Sequence, residues 1–256
     1  MLQRAIVRRP CENFAAGLTT VSLGKPDYAR ALQQHEAYCA ALEECGLTLT
    51  RLDADQRYPD STFVEDTAVL TKRCAVVTNP GAPSRALEVA DISKTLARFY
   101  SELHSICGPG MLDGGDVCEA GNHFFIGISE RTNEAGAQQL AELLTSFDYT
   151  ASLIDIRDVD GMLHLKSGLA YLSDNRLAVI DALHSRAEFR GYDLIRVNAG
   201  EEYAANCLTI NGSVLIAAGY QILEVKLREL GYQTIALAMS EFQKMDGGLS
   251  CLSLRF

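Results

Sequence analysis

The chain has 256 residues, a formal net charge of −10 and 48% hydrophobic residues, which is typical of a globular protein with a sizeable core. The acidic balance argues against nucleic-acid and anionic-membrane partners, and no run of about 18 apolar residues could span a bilayer. Eight cysteines without a C-x-x-C pair, and an N-terminus without the apolar segment of a secretory signal, favour a reduced, cytoplasmic protein without a zinc ribbon.

The first predicted elements are a strand at 4–10, an amphipathic helix at 27–46 and a second strand at 47–53. Gly46 occupies the position expected at the end of that helix. Residues 63–100 then predict a strand, a polar turn, a second strand, a loop and a helix, in that order. Apolar residues of this last helix recur close to helical spacing, at Leu87, Ile92, Leu96 and Phe99.

Three further segments repeat the same layout of strand, turn, strand, loop and helix. They are residues 112–147, 164–192 and 205–237, with the turns "AGNH", "SDNR" and "NG". Asn-Gly between two apolar strands is the strongest short signal for a β-hairpin. The helix of the third segment is predicted to begin near the "TN" of "SERTNEAG", and that of the fifth to end near Gly231, where a final strand, "QTIAL", follows.

The C-terminal residues 247–256 alternate apolar and polar side chains and are predicted to form the hairpin strand that the first unit lacks. The five units recur about every 40–50 residues. Such a period indicates a closed circular array, in which the tail pairs beside the N-terminal strand. We expect one α/β domain over 1–256, with the tail as a central strand of the closing unit. An ordinary doubly wound α/β sheet is the alternative, but its parallel units need no hairpin before each helix.

A candidate nucleophile and a candidate base lie in different units. Cys251 follows Gly247 and Gly248, which could adopt positive φ and let the backbone approach a ligand closely. His164 lies in the apolar stretch "MLHLKSG", just before a predicted strand, and histidine can act as both acid and base for a cysteine nucleophile. The alternatives are a buried structural thiol and a core histidine.

Carboxylates cluster in two segments. Asp113 and Asp116 flank two glycines, where they could orient a histidine, bind a guanidinium or form a simple turn. Asp60, Glu65 and Asp66 lie where a loop enters a strand, and a planar cation could compensate their charge. A solvated loop is the alternative for this second group.

Two arginines, Arg85 and Arg131, lie near predicted helix starts at matching places of two units. Arginine binds carboxylates through two parallel hydrogen bonds, although a surface ion pair is the common alternative. Nucleophile, base, acids and arginines together predict a cysteine hydrolase that acts on a free amino acid with a cationic side chain, and arginine derivatives fit best.

The chain resembles the bacterial dimethylarginine dimethylaminohydrolases, which belong with the arginine deiminases to the guanidino-group-modifying superfamily. The resemblance runs from end to end. It is carried by "GLTTVSLGKPDYARALQQHEAY", "YPDSTFVEDTAV", "GAPSR", "GGDV", "FFIGISERTN", "HLKSGLAYL", "EEYAANCLTIN" and "DGGLSCLSLRF". It implies a five-bladed α/β propeller of ββαβ repeats with pseudo-fivefold symmetry, whose first blade is closed by the C-terminal strand, and catalysis without a metal or an organic cofactor.

The same resemblance implies a role for each site residue. Cys251 matches the nucleophile, His164 the general acid and base, and Asp113 the position of a carboxylate that is commonly glutamate in bacterial relatives. The expected substrate contacts are Glu65 and Asp66 with the guanidinium, Asp60 and the Leu18 backbone with the α-amino group, Arg85 and Arg131 with the α-carboxylate, and the Met245 backbone. Residues 18–24 match a mobile lid.

The implied reaction is hydrolysis of asymmetric dimethylarginine or monomethylarginine to citrulline plus dimethylamine or methylamine, through a covalent thiouronium on Cys251. The alternatives are an arginine deiminase-like or citrulline-cleaving relative, a non-catalytic binding protein on the same fold, and a thiol-based regulator. Deiminases typically carry an acidic residue after the catalytic His-Leu, whereas Lys166 occupies that position here. The expected partner is therefore a small-molecule methylated arginine, and the family also suggests a homodimer.

Overall fold

Five small β-sheets form a ring in the computed structural model, which describes residues 1–256. The strands are β1 (Arg4–Arg8), β2 (Thr48–Leu52), β3 (Ala68–Leu70), β4 (Ala75–Val77), β5 (Leu103–Ser105), β6 (Val117–Ala120), β7 (His123–Ile128), β8 (Thr150–Asp155), β9 (Leu169–Ser173), β10 (Arg176–Val179), β11 (Asp193–Arg196), β12 (Leu208–Ile210), β13 (Ser213–Ala217), β14 (Gln233–Leu237) and β15 (Leu254–Arg255). The helices are α1 (Tyr28–Glu44), α2 (Val89–Leu96), α3 (Glu134–Ser146), α4 (Gln221–Glu229) and α5 (Ser240–Gln243).

Each sheet has three strands, an antiparallel hairpin followed by a strand that runs parallel to the middle one. The fifth blade shows why the hairpins form. Asn211 and Gly212 both have positive φ, and the neighbouring Ile210 and Ser213 pair across the turn. Such a turn twists in the same sense as the strands that it joins. The predicted five-bladed propeller is confirmed.

The ring is closed by the two ends of the chain. β15 pairs antiparallel with β1, with Ile6 opposite Leu254, and β1 pairs parallel with β2. The predicted pairing of the tail beside the N-terminal strand is therefore confirmed. The tail is nevertheless an edge strand, and β1 is the middle strand of this sheet. Cys251 lies on a short 3-10 turn just before β15 rather than on the strand.

The helices depart from the predicted repeat in two blades. Residues 181–192 of the fourth blade contain only a 3-10 turn where a helix was expected. The two fully buried apolar residues there, Leu183 and Phe189, are six positions apart and would face different sides of a helix. In the second blade, α2 begins at Val89, so Leu87 precedes it and is 69% exposed.

A channel of about 520 Å³ runs along the centre of the ring. It is lined by the first strand of each hairpin, and we call these the inner strands: β3, β6, β9, β12 and β15. Each inner strand is preceded by a short 3-10 turn, and we call these five segments the pre-strand turns. They are Val64–Thr67, Gly114–Asp116, Leu165–Ser167, Glu202–Ala205 and Ser250–Leu252. Since they precede strands of equivalent position, they gather at one end of the channel. No helix in the structure is both long and apolar enough to cross a membrane.

Candidate active site

The pre-strand turns and the loops beside them surround one pocket. Its lining includes eight of the ten residues predicted for the site, namely Leu18, Asp60, Asp66, Arg85, Arg131, His164, Met245 and Cys251. Glu65 lines an adjoining pocket together with His164 and Cys251. Asp113 is fully buried directly behind His164. Residues that are distant in sequence therefore converge on one place.

Cys251 is half-buried at the floor of this pocket. Burial, and secondarily the carboxylates of Glu65 and Asp66, raise the pKa of its thiol to about 12. The backbone N–H of Gly248 lies 3.4 Å from Sγ. Before a ligand binds, the side chain is thus a neutral thiol at pH 7.

The two glycines before Cys251 serve close packing, and the prediction that they adopt positive φ is wrong. Asp246 is the residue with positive φ in this loop, at 57°. A β-carbon on Gly247 would lie 2.2 Å from the Phe63 ring, and one on Gly248 would lie 2.3 Å from Oδ1 of Asn206. Only glycine lets the loop come this close to its neighbours.

His164 is buried, and its Nε2 lies 3.2 Å from Oδ2 of Asp113. The other carboxylate oxygen of Asp113 accepts a hydrogen bond from the Gly81 N–H at 2.8 Å, which fixes the acid against the imidazole. Burial alone would lower the pKa of His164, but the carboxylates of Asp66, Asp116 and Asp113 outweigh it and raise the pKa to about 9. His164 is therefore an imidazolium at neutral pH, and Asp113, although shorter than glutamate, reaches it.

Asp116, the other acid beside the paired glycines, accepts hydrogen bonds from protein groups at both carboxylate oxygens. Ser129 Oγ and Thr132 Oγ1 each donate to Oδ2 at 2.7 Å, and the Leu165 N–H donates to Oδ1 at 2.9 Å. Burial raises the pKa of its carboxyl to about 6. Asp116 thus joins the His164 turn to the third blade, while Asp113 is the acid that contacts the histidine.

Asp66 is an anion held between two cations. Burial would raise the pKa of its carboxyl, but His164 and Arg85 outweigh that effect and lower it. Oδ2 accepts from Arg85 Nη1, and Oδ1 accepts from the Gly115 N–H at 2.9 Å. Because its charge is compensated only from these sides, Asp66 can present an ionised carboxylate to a bound cation.

The two arginines differ in their surroundings. Arg85 is buried, so it is not a surface ion pair, and it donates to Asp66, to Glu88 and to the Phe63 carbonyl. The side chain of Arg131 is half-buried, lines the same pocket and has no hydrogen-bond partner in the protein. Its guanidinium is the free cationic donor of this pocket.

The side chains that contact Glu65 come from distant parts of the sequence. Lys166 Nζ lies 2.6 Å and Arg255 Nη2 2.8 Å from its Oε1, and Ser250 Oγ donates to Oε2 at 2.7 Å. These partners lie 101 to 190 positions further along the chain, so nothing near Glu65 in the sequence indicates them. Two cations, Lys166 and Arg255, therefore compensate the charge of Glu65.

The outer part of the pocket is formed by Asp60 and the segment that follows Gly17. The Leu18 N–H donates to both carboxylate oxygens of Asp60, at 3.0 and 3.2 Å. A β-carbon on Gly17 would lie 2.2 Å from Oδ1 of Asp60, so this approach also requires glycine. Burial raises the pKa of the Asp60 carboxyl. Thr20, in the predicted lid, donates its N–H and hydroxyl to Asp246 Oδ2.

Asp66, Asp113 and His164 are spaced closely enough to bind a metal ion, since their ligand atoms lie within 4.8 Å of one another. These groups, however, are already engaged with each other and with Arg85. The site as it stands is an acid and imidazolium cluster rather than a set of free ligands.

One family model and two curated enzymes are similar to this chain. The family model described as arginine deiminase matches residues 92–200. The N(G),N(G)-dimethylarginine dimethylaminohydrolase of Pseudomonas aeruginosa is 44% identical over 100% of both chains. The enzyme of the same name from Streptomyces coelicolor is 34% identical, over 99% of this chain and 96% of its own.

Solved structures give the same result. A cysteine-to-serine mutant of the Pseudomonas aeruginosa enzyme, complexed with citrulline, superposes with a TM-score of 0.97 at 43% identity over 100% of both chains. A histidine-to-glycine dimethylarginine dimethylaminohydrolase, as an adduct with S-methyl-L-thiocitrulline, superposes at 0.96 with the same identity and coverage.

Proposed function

This chain belongs to the dimethylarginine dimethylaminohydrolase family, and we propose that it hydrolyses Nω-methylated arginines to citrulline and dimethylamine or methylamine, with Cys251 as nucleophile. One observation carries this proposal: the Cys251 thiol, the His164 imidazolium and the Asp66 carboxylate line a single pocket. Nucleophile, proton donor and cation-binding group are thus within reach of one substrate.

The charges of the pocket support one orientation of the substrate. The guanidinium binds at the inner end, beside Asp66 and Glu65, where its carbon faces Cys251. The α-amino group binds Asp60, which the Leu18 N–H orients, and the Met245 backbone adds a further contact. Arg131, whose donors are free, takes the α-carboxylate directly, and Arg85 adds its positive charge while it holds Asp66.

The resting charge states determine how the reaction begins. The thiol has a pKa of about 12, so the free protein holds little thiolate. A bound guanidinium places a positive charge beside Sγ and offsets the carboxylates that disfavour the thiolate, and the pKa of the thiol therefore falls. Because His164 is already protonated, the thiol releases its proton to water as the substrate binds. Attack on the guanidinium carbon is then aimed by the carboxylates that grip its nitrogens.

His164 supplies and then recovers one proton. The tetrahedral adduct expels the methylated amine, which takes a proton from the imidazolium. The neutral imidazole left behind can activate water, which attacks the thiouronium carbon and releases citrulline and the Cys251 sulfur. Asp113 holds the ring in place through both steps, because its own position is fixed by Gly81.

The test is citrulline release from asymmetric dimethylarginine and from arginine in parallel. We expect turnover of the methylated substrate, little turnover of arginine, and loss of turnover with retained substrate binding in Cys251→Ser. The control is Cys107→Ser, which removes an exposed free thiol far from Cys251 in the sequence and should keep full activity. Turnover mainly of arginine would assign a deiminase, and near-normal turnover of Cys251→Ser would overturn the nucleophile.

Two further parts of the proposal concern the protein in the cell. We propose that it acts in the cytoplasm, which the eight unpaired cysteines support, since disulfides persist in oxidising compartments. We also propose a homodimer by analogy with the family. Sedimentation velocity would test the dimer, and a single species near 28 kDa, close to the 27.9 kDa chain mass, would contradict it.

A further inference from the structure

Four of the five pre-strand turns carry or adjoin groups used in the proposed mechanism. These are Glu65 and Asp66, Asp113, His164 and Cys251, from the second, third, fourth and first blades. The fifth turn, Glu202–Ala205, provides none of them and is followed by Asn206. Asn206 is buried and lines the pocket shared by His164 and Cys251.

The carboxamide of Asn206 makes three hydrogen bonds, to the segments of both reacting side chains. Oδ1 accepts from the Ser250 N–H at 2.9 Å, and Nδ2 donates to the Lys166 carbonyl at 2.8 Å and to Ser250 Oγ at 3.0 Å. Ser250 precedes Cys251, and Lys166 lies two residues after His164. A backbone N–H can only donate and a backbone carbonyl can only accept, so these partners fix the orientation of the amide.

The same turn holds the cysteine loop at a second point. Tyr203 Oη donates to the Gly247 carbonyl at 2.8 Å. Ser250 Oγ, besides accepting from Asn206, donates to Glu65 Oε2. The fifth blade therefore holds the loop 247–251 near both ends and connects it to the His164 turn, and through Ser250 the loop also contacts Glu65.

We propose that Asn206 is a positioning residue that fixes the turn bearing Cys251 relative to the turn bearing His164. This inference rests on the proposed function, in which the sulfur attacks a carbon whose leaving group takes its proton from His164. Both groups must reach the same substrate atoms within a fraction of an ångström. A misplacement of about 1 Å can cost on the order of 100-fold in rate.

The test compares Asn206→Ala with Asn211→Ala. Asn211 is in the same blade and also makes three hydrogen bonds, with the Leu2 N–H, the Leu2 carbonyl and the Cys45 carbonyl, but at the other end of the blade. We expect Asn206→Ala to lower kcat for dimethylarginine roughly 10- to 100-fold with KM changed less than about threefold, and Asn211→Ala to keep kcat. Equal kcat values for both variants would overturn the proposal.

A substrate with a different leaving group separates positioning from general damage. S-methyl-L-thiocitrulline would expel methanethiolate, which needs a proton from His164 less than an amine does. The loss in kcat caused by Asn206→Ala should therefore be smaller on this analogue than on dimethylarginine. If Asn206→Ala does not fold, Asn206→Asp keeps the acceptor for the Ser250 N–H, loses the donor to Lys166, and should show the same pattern. An identical loss on both substrates would contradict a role through His164.

A measurement without turnover distinguishes failure of this inference from failure of the proposed function. In the free protein, iodoacetamide should alkylate Cys251 several times faster in Asn206→Ala than in wild type, because a released loop exposes the thiol. Intact and peptide mass spectrometry would locate the modification, and Asn211→Ala should match wild type. An unchanged alkylation rate in Asn206→Ala overturns the positioning role, whether or not any methylarginine is a substrate.

Discussion

Two buried histidines show how neighbouring charge decides the state of a side chain. His164 and His35 are both less than 10% exposed. Burial lowers the pKa of His35 to about 4, since the opposing charge of Glu36 is too weak to offset it. At His164 three surrounding carboxylates reverse the effect, and its pKa rises to about 9. The same residue type is thus a neutral core group in one place and an imidazolium in the other.

We expect NMR titration of the histidine Cε1 protons to show these two opposite midpoints. His164 should titrate near pH 9 and His35 near pH 4, against about 6.5 for an unperturbed histidine. The variants His164→Gln and His35→Gln assign the signals. A His164 midpoint at or below 6.5 would contradict the imidazolium state on which the proposed protonation of the leaving group depends.

The same pKa shifts fix the direction of a stability change. A raised pKa in the folded state means that the contribution of His164 is fully present below pH 6.5 and is lost as pH rises through about 9. The lowered pKa of His35 gives a contribution that is present above pH 6.5 and is lost as pH falls through about 4. The histidines therefore act on opposite sides of the neutral range.

At the scale of elements, the predicted lid is hydrogen-bonded to Lys244 and Asp246, which lie just before the loop 247–251. Asp246 accepts the Thr20 N–H and hydroxyl, and the Thr19 hydroxyl donates to the Lys244 carbonyl. Asp246 has φ of 57°, which asparagine and aspartate tolerate better than other residues with a β-carbon. The predicted lid is thus hydrogen-bonded to the residues that lead into the loop 247–251.

We expect Asp246→Gly to release the lid and raise KM for dimethylarginine several-fold, while Asp246→Asn keeps an acceptor and stays near wild type. Both substitutions tolerate positive φ, so the pair isolates the hydrogen bonds from backbone strain. The chain has no tryptophan, so Leu23→Trp gives a single fluorescent reporter on the lid. Equal KM and equal fluorescence in the two variants would show that Asp246 does not hold the lid.

Sequence patterns predicted local features better than contacts between blades. Hairpin turns, the Asn133 cap of α3 and the strand pairing of the tail depend on nearby residues or on the repeat, and these are confirmed. The missing helix of the fourth blade depends on how Leu183 and Phe189 pack, which periodicity does not show.

The same distinction holds in the site. Most predicted residues line the pocket, but the side chains that pair with them come from other blades. Lys166 and Arg255 pair with Glu65, and Asn206 connects the turns that bear His164 and Cys251, although each lies far from its partners in sequence. The motif "EEYAANCLTIN" contains two asparagines, Asn206 and Asn211, and nothing in it indicates which of them contacts the groups of the site.

At the scale of the whole molecule, the first blade joins both ends of the chain. The N–H groups of Gln3 and Arg4 donate to the Phe256 carbonyl, and the Phe256 N–H donates to the Arg4 carbonyl. Arg255 donates to the Ser250 carbonyl and to Glu65, so β15 also anchors the turn of Cys251. We propose on this basis that residues 1–256 form one domain, with the nucleophile held rigid because the ring closes beside it.

Ring closure predicts that the position of the termini matters less than the pairing of β15 with β1. A circular permutant that joins Phe256 to Met1 through a short Gly-Ser linker, and opens the exposed turn between Gly121 and Asn122, keeps every strand pair. Because residues 3 and 256 are hydrogen-bonded, about four linker residues suffice at roughly 3.3 Å per residue. We expect kcat near that of the parent chain and a single urea-unfolding transition.

Deletion of residues 254–256 from the unpermuted chain provides the contrast. It removes Leu254, which is buried, and Arg255, which holds both Ser250 and Glu65. We expect it to lower kcat far more than the permutation does, because the Cys251 turn loses its anchor even where the other four blades stay folded. Active truncated protein together with inactive permutant would mean that chain order, and not closure of the first blade, holds the nucleophile in place.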